Sequence, residues 1–82
     1  MYRIVTENKD QDVIKKIFRR WFCDYTMYNA VGCWKGSEED SLVIEIEGQS
    51  RSCVEGIARD IKSENNQESV LVQEILTSCV FV

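Results

Sequence analysis

The sequence has no histidine, no proline and only four glycines. Without histidine, the commonest general acid–base group is missing, and with it the usual activator of a serine or cysteine nucleophile. A cysteine acting alone would need another source of thiolate. Without proline or a low-complexity tract, nothing reads as a linker or as a disordered segment of more than a few residues. No apolar run approaches the ~18 residues that a spanning helix needs. The first seven residues, Met1 to Glu7, lack the apolar core of a signal peptide, so the expected location is the cytoplasm. Glycine-rich phosphate loops, metal motifs and carboxylate pairs at a diagnostic spacing are also missing. These absences point to binding or assembly rather than catalysis: no enzyme and no cofactor is expected.

What is there suits one folded unit. The 82 residues are 44% hydrophobic and 29% charged, the balance of a globular protein. A single domain over 1–82 is the expectation, with a core small enough that its own stability margin is narrow. The formal net charge of −4 argues against a nucleic-acid polymer as partner. The four cysteines, at 23, 33, 53 and 79, form no Cys-x-x-Cys pair. In a cytosolic chain they read as reduced, small apolar residues in or near the core, with no metal site.

The residue pattern alternates between two periods. Tyr2 to Glu7 has the alternation of a short strand. Asn8, Lys9 and Asp10 can cap a helix. Val13, Ile14, Ile17, Phe18, Trp21 and Phe22 then form one amphipathic stripe, opposite Lys15, Lys16, Arg19 and Arg20. Tyr25 to Trp34 is aromatic and β-prone, a long second strand. Lys35 to Asp40 reads as a polar turn. Ser41 to Glu47 returns as a strand with Leu42, Ile44 and Ile46 on one face and Val43, Glu45 and Glu47 on the wet one. Ser52 and Glu55 fit a capping box ahead of Val54, Ile57, Ala58 and Ile61. That second helix closes near Asn65-Asn66, where asparagine tolerates the left-handed conformation. Val70 to Leu76 is a fourth strand, and Ser78 to Val82 an apolar tail that extends it. The order is βαββαβ, which predicts an α+β, ferredoxin-like sandwich: a four-stranded antiparallel sheet with both helices on one face.

Such a sheet leaves its other face bare. The second strand splits into Thr26, Tyr28, Ala30, Gly32 and Trp34 on one side, and Tyr25, Met27, Asn29, Val31 and Cys33 on the other. Whichever set lies away from the helices exposes large side chains, and exposed apolar patches mark interfaces. The expected interface residues are Tyr25, Met27, Val31, Trp34, Val80, Phe81 and Val82.

The run Tyr28-Asn29-Ala30-Val31-Gly32-Cys33-Trp34-Lys35-Gly36, followed by Ser41 to Ile46 and Val54 to Ala58, resembles PII-type signalling proteins and the related CutA-type proteins. In the PII pattern a strand ending in Lys-Gly leads into a loop and an Ile-Glu-Ile-like strand returns. In CutA-type proteins a tryptophan precedes an acidic turn. Both families have ferredoxin-like subunits that form trimers. The resemblance therefore implies a homo-oligomer, a trimer before a dimer, that binds a small ligand or a protein partner at subunit clefts. The expected ligand contacts are Tyr28, Trp34, Lys35, Arg51 and Ser52, the last two at a helix start suited to an anion. The rival expectation is a stand-alone interaction protein, an inhibitor of phage or mobile-element type that covers a host protein's surface.

Overall fold

The computed structural model describes residues 1–82. Its elements run β1 (Tyr2–Glu7), α1 (Gln11–Arg20), β2 (Thr26–Trp34), β3 (Ser37–Ile46), α2 (Arg51–Glu64) and β4 (Leu71–Glu74). The four strands form one sheet in the order β2-β3-β1-β4, antiparallel throughout. This is the ferredoxin-like α+β arrangement that the periodicity predicts. No helix is long and apolar enough to cross a membrane.

The core lies between one sheet face and the two helices. Ile4, Leu42, Ile44 and Ile46 meet Ile14, Ile17 and Phe18 from α1 and Val54, Ile57 and Ile61 from α2, all fully buried. The alternation of β3 and the helical stripes placed these residues correctly. Gly56 lets the Trp21 indole lie against α2, because a Cβ there would come within 2.6 Å of its ring. The indole Nε1–H donates to Asp60 (2.8 Å), and Arg20 reaches both Asp60 and Glu64. The end of α1 is thus clasped to α2.

Several local expectations need correction. Ser50, not Ser52, caps α2, accepting from the Cys53 N–H, while Glu55 pairs with Arg51 instead of closing a capping box. Only Lys35 and Gly36 make the hairpin turn; with φ of 51° and 80° they form a tight two-residue loop, so Glu38, Glu39 and Asp40 lie in β3. Two such residues suffice because both can hold positive φ. Phe22 does not continue the stripe of α1. It takes φ 51° just past the C-cap, and the Cys23 N–H bonds Phe18 O (3.1 Å), which leaves the Phe22 ring 93% exposed. This is a Schellman ending with a bulky residue where glycine is usual. Strand β4 is shorter than expected, and the tail beyond Glu74 forms neither helix nor strand. One further pair, Met1 with Ile75, continues the β1–β4 ladder. Cys23 is buried and Cys53 half-buried, but Cys33 and Cys79 are exposed; all four are free.

Candidate functional site

Residues paired across a sheet share a face, so the register defines what the helix-free face carries. Tyr28, Val43, Val5 and Leu71 form a row across all four strands. On one side of it lies the row Thr26, Glu45, Arg3 and Gln73. Toward the hairpin come Ala30, Ser41 and Glu7, then Gly32 beside Glu39, then Trp34 beside Ser37. The even-numbered residues of β2 are therefore the ones on the bare face.

That face is not uniformly wet. Arg3 pairs with Glu45 (3.1 Å), which also accepts from the Tyr28 hydroxyl (3.1 Å). Val43, expected on the wet side, is buried. Trp34 turns back over the sheet. A Cβ on Gly32 would stand 2.7 Å from the indole Nε1 and 2.7 Å from Ser41 Oγ. Only glycine at this position lets the ring come so close to the strand. Ser41 beneath is 2% exposed, and its Oγ has no hydrogen-bond partner in the protein.

Next to the indole the face opens into a cavity of about 630 Å³. Its floor is Val5, Ser41 and Leu71, and its rim carries Trp34 and Lys35 on one side and Glu68, Ser69 and Val70 on the other. Glu7 and Glu39 also line it; Glu7 pairs with Lys9 (3.6 Å), and Glu39 and Glu68 stand with Lys35. The far rim is held in place by the end of α2. Asn66 takes φ 55°, and the Gln67 N–H bonds Lys62 O (3.0 Å) in a second Schellman ending. The buried Gln67 side chain then accepts from the Thr6 hydroxyl and, at 3.3 Å, from the Glu7 N–H. This tether brings Glu68 and Ser69 to the sheet.

Of the expected ligand contacts, the structure brings Trp34 and Lys35 together at this cavity. Tyr28 shares the face but is engaged with Glu45. Arg51 and Ser52 stand at the other end of the molecule, near Tyr2 and Glu74. There Arg51 bonds Glu55 (3.0 Å), which raises its pKa, and Ser52 contacts Ser50 (3.2 Å). Among the expected interface residues, Met27 aligns with Ile44 and Ile4 and packs on the core. Tyr25 packs against Phe18 with the rings tilted by 44° and 4.5 Å between ring centres. Val31, Trp34, Val80, Phe81 and Val82 are exposed. Ser41, Glu7, Glu39 and Glu68 were not singled out from sequence. Glu39 was legible only as a turn residue, and no local pattern marks Ser41, which an alternating strand assigns to water.

Titration is perturbed elsewhere. Burial, and then the neighbouring Cys53 and Asp24, push the Cys23 thiol up. The Trp21 indole N–H, with Arg20 behind it, holds the Asp60 carboxyl below its ordinary value. Both groups belong to the helix side of the sheet.

No family model matches the chain, and no curated protein matches it. Among solved structures it is similar to a phage SAM lyase in its apo state. The TM-score is 0.58 and the identity 24%, over 87% of this chain and 74% of that one. A likeness at that identity speaks to the fold.

Proposed function

We propose that the chain is a small-ligand-binding module that holds a planar, positively charged molecule on the bare face of its sheet. The observation that carries this reading is the cavity beside Trp34. It offers an indole for stacking, Val5 and Leu71 in its floor, and three carboxylates against Lys35 and the Lys9 that pairs with Glu7. Such a site attracts a cation through its charge and a ring through the indole face. S-adenosylmethionine combines a purine with a sulfonium, and the similar phage protein is named for it, so it is the first ligand to try.

The module assembles as a homo-oligomer, a trimer before a dimer. Supporting this are the short chain, the exposed Val31 and Trp34, and the uncovered apolar tail Val80-Phe81-Val82. Light scattering at ~100 μM, above the dissociation constants of typical specific complexes, reads the assembly. A stable monomer would end the oligomer reading and favour an interaction protein whose surface awaits a foreign partner.

The ligand test is calorimetric titration and thermal shift with S-adenosylmethionine, S-adenosylhomocysteine and ATP. The expected result is preferential stabilisation by S-adenosylmethionine, about 2.7 kcal/mol at a hundredfold excess over its dissociation constant. Glu39→Gln should weaken it. No stabilisation by any of the three at millimolar concentration would refute the reading. The neighbour's name is that of a lyase, which favours a second reading in which the pocket also turns its ligand over. Chromatography of the same incubations shows product in that case.

A further inference from the structure

The least expected group at the cavity is Ser41. It is a buried hydroxyl without a partner on a sheet row where alanine would fit. Leaving a buried polar group unpaired costs stability, so its presence calls for a reason. A second hydrogen-bonding atom lies beside it. The Trp34 Nε1 and the Ser41 Oγ each lie 2.7 Å from where a Cβ on Gly32 would stand. Unlike the Trp21 indole, whose N–H is taken by Asp60, the Trp34 indole donates to no side chain. Two unspent donors from neighbouring strands therefore converge over a bare stretch of backbone, at the edge of the cavity.

We propose that Ser41 and Trp34 together recognise one acceptor oxygen of the ligand, carried beside its stacked ring and held at the cavity edge next to Gly32. This rests on the ligand-binding reading above and names the contact that gives it specificity. In the empty protein the indole lies over the hydroxyl and keeps it from water. The ligand shifts the indole outward, lays its ring on the indole face, and brings an acceptor carried beside that ring into the indole plane, where it takes hydrogen bonds from the Ser41 hydroxyl and the indole N–H. Gly32 is the third part of the device, because a methyl group there would stand 2.7 Å from both the Ser41 Oγ and the Trp34 Nε1 and push them apart. Stacking alone accepts any flat ring. The paired donors reject ligands that lack the acceptor, since the Ser41 hydroxyl would then stay buried and unpaired.

The experiment uses the full chain and the same three probes, S-adenosylmethionine, S-adenosylhomocysteine and ATP, by calorimetry, with Ser41→Ala, Trp34→Phe and the double variant. Trp34→Phe keeps a ring for stacking and removes the N–H. Each single variant should bind the preferred probe about three- to tenfold more weakly, the loss expected for one hydrogen bond. The double variant should be little worse than either single one, because both donors serve one atom. Ser41→Ala should leave the melting temperature unchanged or raise it. Wild-type binding with undiminished affinity in both single variants would overturn the proposal and leave the binding reading intact. A melting temperature several degrees lower in Ser41→Ala would overturn it whether or not a ligand binds, by showing that the hydroxyl serves the fold. Failure of all three probes on the wild-type protein would sink the binding reading, and this proposal with it.

Discussion

The two faces of the sheet are built by different rules. On the helix side, Ile4, Leu42, Ile44 and Ile46 are apolar and fully buried, and they meet equally apolar side chains from α1 and α2. On the other side, apolar Val5, Val43 and Leu71 alternate with Arg3, Glu7, Ser41 and Glu45, and a cavity of about 630 Å³ remains open. The first face satisfies itself within the chain. The second carries an unpartnered hydroxyl, the Glu39 and Glu68 carboxylates and a half-exposed indole, groups that do little for stability. Residues that cost stability belong where function acts, and here they lie on the bare face.

The sharpest way to break this contrast is to truncate one residue on each side. Ile44→Ala should cost about 2–5 kcal/mol by denaturant unfolding, as truncation of a closed core does. Trp34→Ala should cost only about 1–2 kcal/mol, because its ring is half in water. Equal losses would mean that the bare face is as much a core as the covered one. Phe22 tests the helix side from its margin. Its φ of 51° strains a bulky residue, so Phe22→Gly should gain about 1 kcal/mol despite the added backbone freedom of the unfolded chain. A loss would show that the exposed ring makes contacts that offset the strain.

The smallest effect is the pH dependence, which the helix side should dominate. Asp60 is held below its ordinary value of 3.8 chiefly by the Trp21 N–H, so its contribution is present above that value and fades as the pH falls through it. Cys23 is raised above 9.0 chiefly by burial. Its contribution is full below pH 9 and fades above it, because the unfolded chain then loses the proton first. The melting temperature should be nearly level from about pH 5 to 8 as far as these two groups decide it. Asp60→Asn should flatten the acid limb and Cys23→Val the alkaline one, each by a small amount.

Much of this protein is written in local pattern. Alternation and helical spacing, read along the chain alone, determined the βαββαβ order, the two helices and the buried set of Ile17, Phe18, Leu42, Ile44, Ile57 and Ile61. These depend on which face a residue takes within its own element, and that is set by 3.6- and 2-residue periods. Trp34 and Lys35 were also legible, as an aromatic and a cation at a hairpin tip. Tertiary structure decided the rest. Glu38 to Asp40 became strand because a two-residue turn closes the hairpin and β2 supplies their partners. Phe22 left its stripe because the helix ended one residue sooner. Arg51 and Ser52 were parted from Trp34 by the length of the sheet. Above all, Ser41 joined the site because antiparallel register sets it beside Ala30, two residues from Gly32, and the missing Cβ there lets an indole fold over it. Such a contact depends on which residues of two strands stand opposite each other. No period within either strand encodes that, so it emerged only with the folded sheet.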